Sequence, residues 1–429
     1  MNIAFYTLGC KVNQYETQSL REAFMRLGHT PVGEDAPFDA VVINSCTVTA
    51  ESDRKTRQVL HRFRRENPNA AIVLTGCMVQ AFSDEARQLL SAADVIVGNT
   101  DVMKTVELTE RFLREGEKIY EILPHARKER FNTPDITDFA ERTRAYMKIE
   151  DGCDRFCSYC IIPTARGFVR SRPKEDIKRE AEELAKKDFR EVVLVGINLS
   201  SYGKGEDMDL CDAVDAVCEV EGIKRVRLGS LEPDHISDSM LERFKNQPKF
   251  CPQFHLSLQS GCDRTLKRMN RHYDTAFYTD LVRRIRKMFP SAAITTDIMV
   301  GLAGETEEEF RESVDYLKAI GFAKAHVFAY SRRKGTVAYG LPEQVTKAEK
   351  SRRSRIMCEA AAECEAEFLK TMVGSTQRVL FETYENGKAF GYTENYSRVF
   401  VSSPEDLNGK IKEVNIISST ADCLAGELL

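Results

Sequence analysis

The sequence predicts an α/β protein with three folded parts: a doubly wound parallel sheet, a partial barrel of six βα units and a small all-β barrel. Short apolar runs alternate with helical stretches as far as about residue 370, a pattern typical of parallel sheets. After Met372 the apolar residues recur at every second position, as in half-buried strands. A chain of 429 residues is long enough for about two to four domains.

The first part, residues 1–129, contains four apolar runs with the length of buried strands. Because each run is followed by a polar stretch with helical periodicity, we predict parallel strands covered by helices. The predicted strands are residues 3–7, 41–44, 72–75 and 95–97. The region that follows carries Pro134 and many charges without a regular period, so we place a linker at residues 130–143.

The second part, residues 144–370, repeats strand and helix six times. The predicted strands are residues 146–149, 192–197, 225–229, 254–258, 294–300 and 326–330. Six units are too few for the closed eight-unit barrel, so we predict a partial barrel. The charged stretch 346–370 predicts one long helix that closes this part.

The third part, residues 371–429, has a period of two interrupted by turn signals. These signals are Glu385-Asn386-Gly387 and Pro404-Glu405-Asp406. The pattern predicts a small all-β barrel.

Composition and charge exclude several classes of protein. The 62 Lys and Arg residues against 66 Asp and Glu residues give a net charge of -4, so nucleic-acid binding would require local patches. The N-terminus has no charged leader, and no apolar run approaches the ~20 residues of a membrane helix. We therefore expect a cytoplasmic protein without a membrane partner. P-loop, Gly-x-Ser-x-Gly and Gly-x-Gly-x-x-Gly motifs are absent from the sequence.

Cysteine is the most informative residue type. The chain has 13 cysteines, an odd number without a secretion signal, which favours reduced thiols over a disulfide framework. Cys153, Cys157 and Cys160 form a Cys-x3-Cys-x2-Cys motif after the first predicted barrel strand. Three thiolates on one loop can bind three irons of a 4Fe-4S cluster and leave the fourth iron open. A structural zinc site is the alternative, but it needs four closed ligands, and no fourth Cys or His lies nearby in the sequence.

Three further cysteines, Cys10, Cys46 and Cys77, each follow a predicted strand of the first part. The carboxyl ends of parallel strands meet at one edge of the sheet, where ligands bind. We therefore predict a second 4Fe-4S cluster at this edge. Taken one at a time, each cysteine is more often a small buried hydrophobic residue.

The loop motif, with Tyr159 before its last cysteine, resembles the signature of the radical S-adenosylmethionine superfamily. Within that superfamily the chain is similar to the methylthiotransferases over nearly its whole length. The matching segments are Leu8-Gly9-Cys10-Lys11-Val12-Asn13-Gln14-Tyr15-Glu16, Asn44-Ser45-Cys46-Thr47-Val48-Thr49, Thr75-Gly76-Cys77 and residues 152–163, which contain the loop motif. The last part of the chain resembles a TRAM domain.

This resemblance implies S-adenosylmethionine and two 4Fe-4S clusters as cofactors and tRNA as the substrate. It is strongest for the branch that methylthiolates carbon 2 of threonylcarbamoyladenosine. It further implies an electron donor such as flavodoxin or ferredoxin, while the sulfur donor stays open. Methylthiolation of isopentenyladenosine in tRNA, or of a ribosomal-protein aspartate, is the alternative within the family. A non-catalytic RNA-binding protein held together by metal is the alternative outside it.

The family fold places S-adenosylmethionine across the carboxyl edge of the barrel, where polar side chains follow the strands. The candidate cofactor contacts are Tyr159, Asn198, Ser230, Glu232, His255, Ser257 and Gln259. Asn198 stands where many relatives have a Gly-Gly-Glu turn. For each of these residues, ordinary hydrogen bonding at a strand end is the competing explanation.

Basic loops after the barrel strands are the candidate contacts to tRNA. Arg166, Arg332 and Arg333 could supply a cation for the carboxylate of a threonylcarbamoyl group, against the alternative of a solvated loop. Residues 372–429 contain five Lys and Arg against eight Asp and Glu, so this part is acidic. If it binds RNA, we expect stacking on Tyr392, Tyr396 and Phe400 to contribute.

Overall fold

The computed structural model describes residues 1–137, 139 and 143–429. Its N-terminal part is a six-stranded sheet in which every neighbouring pair of strands is parallel. In spatial order the strands are Thr30–Val32, Asn2–Thr7, Ala40–Ser45, Ala71–Gly76, Val95–Val97 and Ile119–Glu121. The four predicted strands are present, and the two short strands that the apolar pattern missed lie at the sheet edges.

Helices cover both faces of this sheet, so the predicted doubly wound arrangement is confirmed. Leu60 and Phe63 pack on one face, while Leu20 and Phe24 pack on the other. The helices of this part are Lys11–Arg26, Ala50–Glu66, Cys77–Ala81, Ser83–Arg87 and Val102–Glu115.

The central part contains the six predicted parallel strands of a partial barrel. They are Arg144–Lys148, Glu191–Val195, Arg225–Leu228, Gln253–Leu256, Ala293–Val300 and Lys324–Ala329. The first three form one hydrogen-bonded sheet, and the last three form a second sheet that begins with the short strand Ser230–Leu231. Among the described residues, the first and last barrel strands do not pair with each other, so the barrel is open between them.

Helices connect the barrel strands and cover their outer surface. They are Ile162–Arg166, Lys174–Lys186, Leu210–Cys218, Asp238–Lys245, Asp263–Arg268, Thr275–Met288 and Glu307–Ile320. The long closing helix is present as Lys347–Lys370, and it packs on the last barrel strand. Its N-terminus is capped by Thr346, whose Oγ1 accepts a hydrogen bond from Glu349 N at 3.2 Å.

The C-terminal part is a closed five-stranded barrel, as predicted. Around the barrel its strands are Thr376–Glu385, Lys388–Thr393, Arg398–Ser402, Leu424–Leu428 and Ile411–Ser419. The first two strands are joined by Asn386 and Gly387, whose φ angles of 51° and 75° suit a two-residue hairpin turn. Val379, Phe381 and Leu424 lie in its core.

The predicted linker at residues 130–143 includes residues 138 and 140–142, which lie outside the described residues. The chain just before them packs on the N-terminal part: Tyr15 Oη donates to Pro134 O at 3.2 Å, and Ile136 is buried. The exact domain boundaries stay a prediction. Within the described chain, no helix has both the length and the apolar character needed to cross a membrane.

Candidate active site

The three closely spaced cysteines lie on the loop that follows the first barrel strand. Cys153, Cys157 and Cys160 line one cavity of about 270 Å³. Backbone hydrogen bonds fix the loop: Cys153 N donates to Gly167 O, and Ser158 N donates to Met269 O, both at 2.9 Å. The structure therefore brings the three thiols of the motif to one space.

A buried arginine that the sequence analysis missed contacts this cysteine set. Arg271 Nη1 donates to Cys157 Sγ at 3.2 Å, and its Nη2 donates to the Glu232 carboxylate. Burial raises the pKa of Cys160 to about 12, and the thiol of Cys157 adds to this rise, whereas Arg271 lowers the pKa. The guanidinium thus favours the thiolate form, which is the form that binds metals.

Three neighbouring parallel strands of the N-terminal sheet are followed by Cys10, Cys46 and Cys77. These cysteines lie near one another at the carboxyl ends of the strands. Gly9, with φ of 116°, allows this approach, because a Cβ at this position would lie only 2.8 Å from Cys46 Cβ. Burial raises the pKa of Cys77 to about 12, and the thiols of Cys46 and Cys10 contribute to the rise. This set, too, needs a nearby cation to favour its thiolates.

Arg166 supplies that cation from a buried position rather than from an open loop, and its predicted contact to substrate stays a prediction. The side chain is fully buried because the helix Ile162–Arg166 packs against the helix Cys77–Ala81. Its Nε donates to Cys77 Sγ at 3.1 Å, and its Nη2 donates to Glu16 Oε2 at 2.9 Å. The guanidinium is therefore committed to the N-terminal cysteine set.

The other two predicted substrate-binding arginines differ in their surroundings. Arg333 is buried, and its Nη2 donates to Asp53 Oδ2 at 2.5 Å and to Thr47 Oγ1 at 2.6 Å. This ion pair ties the loop after the last barrel strand to the N-terminal part, and the predicted substrate contact of Arg333 stays a prediction. Arg332 is exposed, and its guanidinium lies 4.2 Å from the ring centroid of Tyr339.

A larger cavity of about 600 Å³ lies where the three parts of the chain meet. Cys10 and Lys11 line it from the N-terminal sheet, Ser230 and His255 from the barrel, and Tyr396 from the C-terminal barrel. One of the N-terminal cysteines therefore faces the same enclosed space as the barrel strands.

Several of the predicted cofactor contacts form a hydrogen-bonded set beside this cavity. Ser230 Oγ and Ser257 Oγ are 2.8 Å apart, and His255 Nδ1 lies 3.0 Å from Thr295 Oγ1. His255 Nε2 also lies 3.4 Å from Asp297 Oδ2. These contacts hold the polar side chains in fixed orientations.

Asn198 is buried beside a carboxyl group that the sequence analysis missed. Its backbone N donates to Glu150 Oε2 at 2.7 Å, and its Nδ2 donates to Ser201 Oγ at 2.8 Å. Burial raises the pKa of Glu150 well above its ordinary value, and the charge of Asp151 adds to this rise. Within the described chain, Glu150 Oε1 and Asn198 Oδ1 are buried without a hydrogen-bond partner.

The remaining candidates are held mainly by protein contacts. Glu232 is bound by Arg271, and Tyr159 packs against the apolar cluster that includes Met269. Gln259 has a φ of 69°, and its backbone N donates to Asp297 O at 2.8 Å. The cofactor roles of all seven candidates stay predictions.

The aromatic side chains predicted to stack on RNA fall into two groups. Tyr392 and Tyr396 stack on each other with ring centroids 4.7 Å apart and line the large cavity, so they face inward. Phe400 points away from the barrel core, because its neighbours Val399 and Val401 point into it. Lys388 Nζ lies 5.0 Å from the Phe400 ring centroid, so a cation lies beside this outward-facing ring.

Both cysteine sets fit an iron–sulfur cluster by their donor chemistry. Each provides three soft sulfur ligands, and in each a buried arginine donates to one sulfur. Among the described residues, no three His, Cys, Asp or Glu side chains surround a single ion-sized position. Three cysteines that bind three different irons of one cluster do not need such convergence.

Comparisons with known proteins cover most of the chain. Residues 2–98 match the family model described as Uncharacterized protein family UPF0004, residues 147–317 the Radical SAM superfamily, and residues 370–429 the TRAM domain. The chain is 36% identical to the threonylcarbamoyladenosine tRNA methylthiotransferase MtaB of Bacillus subtilis (strain 168), over 97% of this chain and 94% of that protein. It is 34% identical to the tRNA-2-methylthio-N(6)-dimethylallyladenosine synthase of Clostridium perfringens (strain SM101 / Type A), over 99% of this chain and 96% of that protein.

Among solved structures, the chain resembles the radical S-adenosylmethionine methyltransferase TsrM from Kitasatospora setae. The TM-score is 0.57 at 14% identity, over 79% of this chain and 73% of that one. At this identity the likeness concerns the fold alone.

Proposed function

Because the chain belongs to the radical S-adenosylmethionine methylthiotransferases that act on tRNA, we propose that it methylthiolates carbon 2 of the threonylcarbamoyladenosine next to the anticodon. The observation that carries this proposal is the cavity of about 600 Å³ shared by Cys10 and the barrel residues Ser230 and His255. An adenine held there would lie within reach of both the N-terminal cysteine set and the barrel.

We assign one cofactor to each cysteine set. Cys153, Cys157 and Cys160 would hold the 4Fe-4S cluster that cleaves S-adenosylmethionine and supplies the radical needed to activate a C–H bond. Cys10, Cys46 and Cys77 would hold a second cluster at the site of sulfur transfer. Arg271 and Arg166 each place a positive charge beside one ligand sulfur, which offsets the negative charge of the thiolates. A flavodoxin or ferredoxin is the proposed electron donor.

The choice of nucleoside is supported by the cavity as well as by the relatives. Two basic side chains of the cavity wall, Lys11 and Arg398, form no ion pair among the described residues, which suits a substrate that carries a carboxylate. The relative named for dimethylallyladenosine is almost as similar to the chain as the one named for threonylcarbamoyladenosine. Isopentenyladenosine in tRNA is therefore the second candidate substrate.

The proposed substrate predicts a steep preference between modified tRNAs. The enzyme, reconstituted with iron and sulfide, should methylthiolate tRNA that bears threonylcarbamoyladenosine and leave tRNA that bears isopentenyladenosine unchanged. A polar pocket rejects an analogue that leaves its charged groups unpaired, by about four orders of magnitude in favourable cases. Mass spectrometry of the digested nucleosides measures both products. Preferential turnover of the isopentenyl substrate would show that the second candidate is correct.

The outer surface of the C-terminal barrel gives a prediction about tRNA binding. Loss of one stacking ring costs about 1–3 kcal/mol, so Phe400→Ala should weaken tRNA binding about 5- to 160-fold. Phe277→Ala, at an exposed phenylalanine of the helix Thr275–Met288, serves as the matched control. Fluorescence anisotropy with labelled tRNA measures the dissociation constant. An unchanged constant for Phe400→Ala would remove this ring from the RNA-binding surface.

A further inference from the structure

Two of the basic side chains that line the large cavity form no ion pair among the described residues. The basic residues that line the cavity are Lys11, Arg144, Arg227, Lys324 and Arg398. Three of them form ion pairs: Arg144 Nε lies 2.5 Å from Glu382 Oε1, Arg227 Nε 2.9 Å from Glu191 Oε1, and Lys324 Nζ 3.1 Å from Glu365 Oε1. These three side chains therefore already have carboxylate partners within the protein.

Arg398 and Lys11 are the other two basic residues of the cavity wall. The Arg398 guanidinium lies 5.2 Å from the ring centroid of Phe390, on the outward face of the C-terminal barrel. Lys11 Nζ lies 5.8 Å from the ring centroid of Tyr146, a residue of the first barrel strand that also lines the cavity. Among the described residues, neither Lys11 nor Arg398 forms an ion pair, in contrast to the other three basic residues. The charge of Lys11 is thus available to a bound anion.

The position of Lys11 in the chain places this charge beside the proposed reaction site. Lys11 directly follows Cys10 and is the first residue of the helix Lys11–Arg26. It therefore lies between the N-terminal cysteine set and the barrel wall. A nucleoside bound in the cavity next to Cys10 would therefore lie beside this ammonium group.

We infer that Lys11 is a specificity-determining residue that binds the carboxylate of the threonylcarbamoyl group, an assignment that rests on the proposed function. An ammonium–carboxylate contact in an enclosed site is a charge-assisted hydrogen bond, roughly twice as strong as a neutral one. An isopentenyl group offers no such partner and would leave the ammonium group facing an apolar surface. Lys11 thus favours the acidic nucleoside and disfavours the apolar one.

A phosphate of the tRNA backbone could supply the same anionic chemistry, and the experiment separates the two sources. Three anticodon stem-loops differ only at the nucleoside next to the anticodon: threonylcarbamoyladenosine, its methyl ester and unmodified adenosine. The ester keeps the shape of the side chain but removes its negative charge. If Lys11 contacts the nucleoside carboxylate, its loss weakens binding of the first stem-loop only. If it contacts the backbone, its loss weakens binding of all three stem-loops equally.

The test compares wild-type enzyme with Lys11→Met and with Lys324→Met as the matched control in the same cavity. Wild-type enzyme and the control should bind the acid about 10- to 100-fold more tightly than the ester. Lys11→Met should bind acid and ester with similar affinity, while its iron content and far-ultraviolet circular dichroism remain those of the wild type. Binding is measured by anisotropy on the reconstituted protein.

The possible failures are distinguishable. If Lys11→Met still prefers the acid to the ester, or weakens all three stem-loops equally, the assignment of Lys11 is wrong although the substrate stands. If the wild-type enzyme shows no preference for the acid and does not methylthiolate it, the proposed substrate itself is wrong. If Lys11→Met loses iron, Lys11→Arg provides the second test. This variant keeps the positive charge and should restore the preference for the acid over the ester.

Discussion

Replacement of Cys157 by alanine is expected to abolish the formation of 5'-deoxyadenosine, whereas replacement of Cys46 should leave it intact and remove only the methylthiolated product. Cys157 lines the cavity of the loop motif and accepts a hydrogen bond from Arg271. Cys46 belongs to the other cysteine set and is buried at the carboxyl end of the strand Ala40–Ser45. Loss of a metal ligand should reduce the rate of the affected step by at least about 100-fold. Changes in the residues that only hydrogen-bond to a ligand already lower metal affinity or activity by about 10- to 100-fold.

The measurement needs anaerobic protein and two readouts. Wild-type enzyme with two 4Fe-4S clusters should contain about eight iron atoms, and each variant should retain about four. Quantification of 5'-deoxyadenosine and of the modified nucleoside then separates the two steps. Cys211→Ala is the matched control, because Cys211 is equally buried but belongs to the apolar core of the barrel. Equal loss of 5'-deoxyadenosine in both cysteine variants, with folding retained, would contradict this division of roles.

Features that depend on local sequence were predictable. The two cysteine sets could be placed because buried strands have a strong apolar signal, and the residue after a parallel strand lies at the edge where ligands bind. The hairpin at Asn386 and Gly387 could be placed because few residues adopt two successive positive φ angles. The closing helix was likewise recognisable as one long charged stretch ending at Lys370.

Features that depend on contacts between distant parts of the chain were not predictable. Arg166 meets Cys77 across 89 residues of sequence, and Arg271 meets Cys157 across 114. Periodicity and motif spacing describe the local chain only, so a basic residue in a loop looks solvated until its partner is known. For the same reason Arg333 was predicted to face substrate, although its carboxylate partner Asp53 is 280 residues away.

The inward stacking of Tyr392 and Tyr396 has the same origin. Arg144, which contacts both rings, belongs to the first strand of the other barrel, and its guanidinium lies 5.0 Å and 4.8 Å from the two ring centroids. Alternation along a strand indicates which residues share a face. It does not indicate whether that face is covered by another domain.

Arg166→Met is expected to destabilise the contact between the N-terminal sheet and the barrel by about 3–5 kcal/mol, the usual cost of removing one partner of a buried ion pair. Arg166, Lys148, Glu16 and Asp151 form one buried group of charges, in which Lys148 Nζ lies 2.7 Å from an oxygen of each carboxylate. Although burial opposes ionisation, Arg166 and Lys148 hold the pKa of Glu16 below its ordinary value. Without Arg166, Glu16 keeps Lys148 as its one ion-pair partner among the described residues, because the nearby Arg170 pairs with Asp151 at 3.2 Å.

The same substitution removes the hydrogen bond to Cys77 Sγ, so it should also lower the iron content of the N-terminal set while sparing the loop motif. Urea denaturation and iron analysis measure the two effects, with Arg332→Met at an exposed arginine as the control. Arg166→Lys keeps the positive charge but not the forked geometry of the guanidinium. It should therefore recover part of the lost stability, and a smaller part of the lost iron content. If Arg166→Met unfolds at the wild-type urea concentration and keeps about eight iron atoms, this buried arginine supports neither the domain contact nor the N-terminal cysteine set.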